Sequence, residues 1–347
     1  MNECIFKNKT YFAAANGYNG FRSNFEKIFS PEKLDKLFVI KGGPGTGKST
    51  IMKKLAKEFA DNADITNIQC SSDPSSLDGL ILSKNDVSVA IADGTSPHAI
   101  EPAFPGAFEE IINLGESFDF DGLSKNKNEI IHLARNKKTE YKKAYSLLGV
   151  AGKLYNYISS YLLNNEIYNT AESITRKIIE FDKKCKNESV ADDYLVGAFC
   201  KDGYKRLSLE VDKKHIIQIK GDGISEYLLM SKIYEILTKE KLISRIYPAA
   251  FSKELFDAFE TNNALIYISY EDEDAFDSSE LFASSDEYKR IKLLYDCIIE
   301  ESRLCFESAS LCHFKLEDIY SKNISFEKNE IKYELIKSKI NYLFSKY

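Results

Sequence analysis

The chain has 347 residues, of which 44% are hydrophobic and 29% are charged, and its formal net charge is −6. This length predicts about two domains, and this composition excludes a disordered or collagen-like chain. The acidic balance argues against a nucleic-acid partner, because proteins that wrap nucleic acid usually carry a basic excess. No stretch approaches the ~18 apolar residues of a membrane-spanning helix, so no membrane partner is expected either.

Short apolar segments rich in Ile, Val and Tyr predict strands in both halves of the chain. In order they are Tyr11–Ala15, Leu37–Lys41, Ile65–Cys70, Val87–Ala92, Tyr194–Phe199, Ile216–Lys220, Leu242–Tyr247 and Ala264–Tyr270. Segment 107–190 has no proline and little glycine, and 286–347 has neither, so both are predicted to be helical. Strands that alternate with helices favour an α/β fold with a parallel sheet.

The cysteines and the start of the chain bear on its cellular location. The chain begins without a basic-then-apolar signal-peptide pattern. Its cysteines number seven, and no two are spaced as a CxxC pair, which indicates free thiols in a reducing cytoplasm. The four histidines have no metal-ligand spacing with cysteine, so a structural zinc site is not expected. We therefore predict a cytoplasmic protein.

A glycine-rich motif lies between the predicted strand that ends at Lys41 and an amphipathic helix. It matches the G-x-x-x-x-G-K-[ST] pattern of a P-loop at every fixed position. Glycines let the backbone N–H groups point at a triphosphate, and the following helix directs its positive end at the same anion. Lys48 is expected to reach the β- and γ-phosphates and Ser49 to bind Mg²⁺. The predicted ATP cradle comprises Gly42, Gly43, Pro44, Gly45, Thr46, Gly47, Lys48, Ser49 and Thr50.

A carboxylate follows the fourth predicted strand directly. This residue, Asp93, fits a Walker B strand, whose aspartate helps to hold Mg²⁺. Ser49 and Asp93 are thus the predicted metal-holding residues, and Lys48 and Asp93 are predicted to be catalytic. Glycine follows Asp93 where many ATPases have a glutamate that activates water. The base must therefore come from elsewhere, or the phosphate is transferred to an acceptor other than water.

Several polar residues are candidates for these further roles. His98 and Glu101 follow Asp93 in a proline-rich segment, where His98 serves either as a catalytic group or as a loop anchor. Asp73, like Asp78, is placed to orient water, Mg²⁺ or an acceptor hydroxyl, or else forms part of an ordinary turn and helix cap. Arg22 is a candidate for stabilising the transferring phosphoryl group, or else a surface arginine.

The chain also contains a weak internal repeat, with offsets that drift from 183 to 177 residues. YFAAANGYNGFR at 11–22 aligns with YLVGAFCKDGYK at 194–205, and VIKGGPGTGKSTIMKKL aligns with QIKGDGISEYLLMSKI after one deletion. These matches, in one order along the chain, predict a duplication. The second copy lacks Gly-Lys-Ser, carries Asp222 and Glu226 in its loop, and aligns Tyr270 with Asp93. Only the first copy is therefore predicted to bind nucleotide.

Four segments carry a resemblance to a known family: YFAA at 11–14, KGGPGTGKST at 41–50, CSSDPSSLDG at 70–79 and DGTSPHAIEP at 93–102. On these the chain resembles the uncharacterised tandem P-loop ATPases of Firmicutes, sometimes labelled nucleotide kinase-like. The resemblance implies ATP binding and hydrolysis but no particular substrate. Family members often keep a P-loop in the second half, and this chain departs from that pattern.

These patterns together predict an α/β fold of the P-loop NTPase type, duplicated, with a degenerate second copy and a helical segment after each half. The predicted domains are 1–190, with helical segment 107–190, and 191–347, with C-terminal helices 286–347. The leading function is Mg²⁺-dependent ATP hydrolysis by the first half.

Two alternatives to this function remain open. One is a nucleotide or small-molecule kinase, although the chain's few arginines argue against a nucleotide acceptor. The other is a nucleotide-sensing switch with little turnover. In it the second half docks a protein partner, for which the helical segments offer a surface.

Overall fold

The computed structural model describes residues 7–182, 190–209, 213, 215–270 and 272–346. In chain order the strands are β1 (Asn8–Phe12), β2 (Ala14–Gly17), β3 (Gly20–Ser23), β4 (Lys36–Lys41), β5 (Asp64–Gln69), β6 (Leu77–Lys84), β7 (Val87–Asp93), β8 (Glu109–Asn113), β9 (Val190–Ala191), β10 (Gly197–Cys200), β11 (Gly203–Arg206), β12 (His215–Lys220), β13 (Arg245–Pro248), β14 (Phe256–Glu260), β15 (Ala264–Ile268) and β16 (Phe276–Asp277). The helices are α1 (Phe25–Ile28), α2 (Lys48–Phe59), α3 (Phe120–Lys125), α4 (Lys127–Tyr161), α5 (Asn165–Phe181), α6 (Ser225–Lys239), α7 (Asp286–Ser321) and α8 (Phe326–Lys346), with short 3₁₀ helices at Leu114–Ser117 and Ser278–Phe282.

The chain is an α/β protein. Each of the eight predicted strands overlaps an observed one, and the two predicted helical segments contain α3 to α5 and α7 to α8. Strand β8 lies inside the segment 107–190 and was not predicted. No helix in the described part of the chain is long and apolar enough to cross a bilayer.

The chain divides into two compact units. The first unit comprises the residues up to Ala14, Ser23–Lys142, and the residues from Cys305 onward, and the second comprises Ala15–Arg22 and Lys143–Leu304. This division differs from the predicted boundary between 190 and 191. The difference arises because α5 follows the first half of the chain but belongs to the second unit, whereas α8 follows the second half but belongs to the first unit.

The first unit contains a six-stranded sheet in the order β1-β5-β6-β7-β4-β8. Its β1–β5, β7–β4 and β4–β8 pairs are parallel, but β6 is antiparallel to both β5 and β7. The expectation of a parallel sheet is therefore wrong for β6. The physical reason is the tight turn between β6 and β7, in which Asn85 and Asp86 both have positive φ angles (49° and 64°). Such two-residue turns join antiparallel neighbours.

The second unit contains a six-stranded sheet with the same succession of pairings. In the order β9-β13-β14-β15-β12-β16 its pairs are parallel, antiparallel, antiparallel, parallel and parallel, as in the first sheet. Aligning Ile219 with Ile40, as the repeat does, makes Ile268 the counterpart of Asp93, because these residues are the register partners of Ile219 and Ile40. The predicted alignment of Tyr270 with Asp93 therefore differs from the strand register by two residues.

Helix α2 carries the apolar spacing that fixes the core of the first unit. Its buried side chains are Ile51, Met52, Leu55 and Phe59, which recur at helical spacing on one face. They join a core that includes β4, β7 and the buried face of α8, where the Phe59 and Phe344 rings pack edge to face at 5.9 Å. Burial of each large apolar side chain stabilises the unit by about 1.5–3 kcal/mol. Helix α8 thus covers the helix that follows the glycine-rich motif.

Helix α6 occupies the matching position in the second unit, after β12. Leu229 and Ile233 are among its fully buried residues, and α5 packs against it. The buried residues of α5 include Ile167, Ala171 and Ile178, again at helical spacing on one face. In each unit, therefore, the helix after the glycine-containing loop is covered by a helix from the other half of the sequence.

Candidate functional site

The glycine loop, defined here as residues 42–47, joins the end of β4 to the start of α2. Gly45 and Gly47 have φ angles of +66° and +90°, and residues other than glycine adopt such angles only with strain. No side chain caps α2 at Gly47. The first N–H groups of this helix and its positive dipole end are thus available to an anion.

The glycine loop is held by the last helices of the chain. Thr46 Oγ1 donates to the Gly43 carbonyl at 2.8 Å, and Asn329 Nδ2 donates to the Thr46 carbonyl at 2.8 Å. A Cβ on Gly43 would lie 2.9 Å from the Tyr320 ring, and one on Gly45 would lie 2.6 Å from the Glu317 carbonyl oxygen. Glycine is therefore required at both positions by the close approach of α7.

A cavity of about 510 Å³ opens beside the glycine loop, wholly within the first unit. Its lining includes the loop and residues of α4 and α7. Almost all the predicted site residues line it: Gly42, Pro44, Gly45, Thr46, Gly47, Lys48, Ser49, Thr50, Asp73, Asp93 and His98. Gly43 is the one residue of the predicted cradle that does not line it, and it lies against the Tyr320 ring instead.

Lys48 and Asp93 face each other in this cavity, and both side chains are mostly buried. The Lys48 Nζ is 3.5 Å from Asp93 Oδ2 and also donates to the carbonyls of Gly42 (3.2 Å) and Gly43 (2.7 Å). Asp93 Oδ1 accepts from the Thr95 N–H at 2.9 Å and from the Thr95 hydroxyl at 2.6 Å. Thr95 thus orients the carboxylate so that its second oxygen faces the ammonium.

Ser49 is oriented by the start of β6. Its Oγ accepts the Leu77 N–H at 2.9 Å, which leaves the second lone pair of the hydroxyl for another partner. Ser49 and Asp93 offer the oxygen ligands that Mg²⁺ prefers. The described residues contain no group of three or more His, Cys, Asp or Glu that is able to hold a metal on its own. The donor set fits an ion that takes its remaining ligands from phosphate and water, as Mg²⁺ does in phosphate sites.

His98 is engaged on both ring nitrogens. Its Nε2 lies 3.3 Å from Asp78 Oδ2, its Nδ1 lies 3.1 Å from the Asp93 carbonyl oxygen, and its ring stacks on Phe25 at 4.1 Å. Burial disfavours the charged ring, but the hydrogen bond and charge of Asp78 and the charge of Asp93 raise the pKa of His98 overall. These contacts favour the loop-anchor interpretation over a catalytic role.

The other sequence candidates are placed differently. Asp73 lines the cavity, and its Oδ1 accepts from the backbone N–H and the hydroxyl of Ser75 at 3.2 and 2.8 Å. Glu101 pairs with Lys41 at 3.0 Å on an exposed surface. Arg22 belongs to the second unit, where its guanidinium donates to the Ala249 carbonyl at 2.8 Å, so it is not part of this cavity.

Sequence reasoning missed the residues of α4 and α7 that line the cavity. Lys137 Nζ lies 2.9 Å from His313 Nδ1, and the His313 Nε2 is 3.5 Å from Glu317 Oε1. Tyr141 Oη donates to Ser72 Oγ at 3.0 Å. The only trace of this lining in the sequence is helical spacing, because the α7 residues that line the cavity recur every three or four positions: Phe306, Ser310, His313 and Glu317. Nothing in that spacing indicates which element these residues face.

No protein-family model, curated protein or solved structure matches the chain. The geometry of this cavity is therefore the feature that bears on function. An uncapped helix start, the lysine at the first position of that helix and a pair of oxygen donors line one cavity. That combination is complementary to a polyphosphate and its divalent cation.

Proposed function

We propose that the chain binds ATP with Mg²⁺ in this cavity and hydrolyses it, as a P-loop ATPase whose active site lies in the first half of the sequence. The observation that carries the proposal is that the glycine loop, Lys48, Ser49 and Asp93 line one cavity. Its volume, about 510 Å³, lies within the usual range of small-molecule sites.

Each of these residues has a distinct task in the proposed complex. Lys48 would exchange its contacts with the carbonyls of Gly42 and Gly43 for phosphate oxygens, which are stronger acceptors because they are charged. Ser49 and Asp93 would hold Mg²⁺. When bound, the ion would neutralise charge on the phosphates. Asp73 is suited to orient water through its second carboxylate oxygen, since Oδ1 already accepts from Ser75.

We also propose that the second half is a degenerate copy of the first and that the protein acts in the cytoplasm. The identical succession of strand pairings in the two sheets supports the duplication. The absence of a Gly-Lys-Ser sequence between β12 and α6 supports the loss of activity. Ile268, the register counterpart of Asp93, offers no metal ligand.

The decisive experiment is phosphate release from ATP by Lys48→Ala. We expect turnover to fall by about 10³-fold or more, because a charge-assisted contact to the transferring group is lost. Lys57→Ala, an exposed position on the same helix, is the matched control and should leave turnover unchanged. Wild-type turnover in Lys48→Ala would disprove the assignment. Phosphate transfer that requires an added acceptor would favour the kinase alternative, and tight ATP binding without turnover would favour the switch.

A further inference from the structure

Lys137 lies on α4 and lines the same cavity as Lys48. Of the described residues that line the cavity, only these two are lysine or arginine. The chain has few arginines, and Arg22, the sequence candidate for a second cation, belongs to the second unit. A polyphosphate in the cavity would therefore meet two positive charges, one at the start of α2 and one on α4.

We propose that Lys137 is a catalytic cation that contacts the transferring phosphoryl group and stabilises the charge on it in the transition state. This inference rests on the proposed function. In hydrolysis the water oxygen bonds to the γ-phosphorus, and the bond from that phosphorus to the bridging oxygen breaks. The electron pair stays on ADP, and the water proton passes to Asp73 or to the released phosphate. Lys137 moves no proton and donates N–H groups to the γ-phosphate oxygens.

The contacts of Lys137 fix its position beside the phosphate cradle. For His313 Nδ1 to accept from the ammonium at 2.9 Å, the imidazole proton must sit on Nε2, which faces Glu317 at 3.5 Å. The carbonyl of the same Glu317 closely approaches Gly45. The chain from Glu317 through His313 thus ties Lys137 to the part of α7 that packs on the glycine loop. The two remaining N–H groups of the ammonium are left for a ligand.

The electrostatics of the cavity agree with this placement. Burial lowers the pKa of Lys137, and the positive charge of Lys48 lowers it further, whereas Glu317 raises it. Two lysines that repel each other across one cavity are stabilised when an anion enters between them. In the transition state of phosphoryl transfer the charge is spread over the γ-phosphate oxygens, so the attraction is expected to be strongest there.

The test compares Lys137→Ala and Lys137→Arg with Lys138→Ala, an exposed neighbour on α4. We measure kcat and KM for ATP, the Kd of a non-hydrolysable ATP analogue, and the Kd of ADP with aluminium fluoride, which mimics the transition state. We expect Lys137→Ala to lower kcat by about 10²–10³-fold and to raise the Kd of the transition-state mimic to a similar extent. The analogue Kd should change less than about threefold, because Lys48 and the loop amides remain. Lys137→Arg should recover part of kcat.

The possible results separate this inference from the proposed function. Wild-type kcat in Lys137→Ala, in a chain whose Lys48→Ala variant is inactive, would overturn the inference alone. An equal rise in the Kd values of the ATP analogue and of the transition-state mimic would also overturn it, because Lys137 would then contribute equally to ground-state and transition-state binding. A wild-type chain that binds no ATP would overturn both. If Lys137→Ala does not fold, Lys137→Met, which keeps most of the aliphatic stem, gives the same comparison.

Discussion

The two glycine-containing loops of the molecule occupy equivalent places in their sheets but differ in what their backbone N–H groups contact. The first loop opens on a cavity with a lysine and an uncapped helix start. In the second loop, Gly223 N–H donates to both carboxylate oxygens of Glu226 at 3.0 and 3.1 Å. Ile224 and Ser225 N–H groups donate to Asp222 Oδ1 at 3.2 and 3.0 Å. Side chains of the protein thus take the contacts that phosphate oxygens make in a P-loop.

Tyrosines complete the enclosure of these two carboxylates. Tyr288 Oη donates to both oxygens of Asp222 at 2.9 and 3.0 Å, and Tyr270 Oη donates to Glu226, whose side chain is fully buried. Burial raises the pKa of Glu226, although the hydrogen bond from Tyr270 and the charge of Arg206 oppose this effect. The first loop thus meets a lysine and an uncapped helix start, as a site for an exchangeable anion requires, whereas the second loop is closed by its own carboxylates.

Asp93→Asn removes the carboxylate that distinguishes the first sheet from the second. We expect turnover to fall by about 10²–10³-fold and the Mg²⁺ concentration for half-maximal rate to rise, because a charged oxygen ligand is lost. Nucleotide affinity should largely persist, since the loop amides and Lys48 are intact, and the amide oxygen can still accept from Thr95. The measurement is a Mg²⁺ titration of phosphate release.

Asp86→Asn is the control for this prediction, because it lies in the turn at the other end of β7 and asparagine tolerates its positive φ of 64°. It should leave the titration unchanged. If Asp93→Asn also leaves the titration unchanged, Asp93 is only the end of a strand and the metal assignment is wrong.

The sequence predicted the first loop and its flanking strand and helix, because the motif lies within a short stretch of chain and each residue type in it has a specific physical role. It did not predict β6 or β14, whose antiparallel pairing depends on partners and not on composition. It also did not predict Lys137 and His313 in the site, because they come together only through the packing of α4 and α7. For the same reason the sequence did not predict that α5 belongs to the second unit and α8 to the first. Amphipathic spacing shows that a helix has a buried face but does not indicate which element covers that face.

Glu226→Ala tests whether the second loop is held by its own carboxylate. We expect the second unit to lose about 2–3 kcal/mol of stability, because the half-buried Gly223 N–H and the Tyr270 Oη would lose their charged acceptor, the side chain of the fully buried Glu226. That loss corresponds to a fall of roughly 4–12 °C in its Tm. Turnover of ATP should be unchanged. Thermal unfolding and phosphate release on the same samples measure both effects.

The control for this substitution is Glu235→Ala on the same helix, where the carboxylate is exposed and pairs with Lys232 and Lys239. Surface pairs of this kind contribute at most about 1 kcal/mol, so its Tm should stay close to that of the wild type. A wild-type Tm in Glu226→Ala would show that the carboxylate does not hold the loop. A loss of turnover in a folded Glu226→Ala would show that the second half takes part in catalysis.

The smallest expected effect is in nucleotide stoichiometry, which should remain one per chain in the wild type and in Glu226→Ala. The second loop lacks a counterpart of Lys48, and its N–H groups already have acceptors. Asp222 and Glu226 would lie against the phosphates of a second nucleotide, and each such repulsion costs on the order of 1 kcal/mol even in water. Removing the Glu226 carboxylate therefore frees the Gly223 N–H without providing the missing cation.

Equilibrium dialysis with a non-hydrolysable ATP analogue measures this stoichiometry. Saturation near one per chain in both proteins, with the site lost or strongly weakened in Lys48→Ala, would agree with a single site in the first half. Two equivalent sites in the wild type would contradict the closed second loop. A second site that appears only in Glu226→Ala would show that the carboxylate alone, and not the lack of a lysine, keeps nucleotide out of the second half.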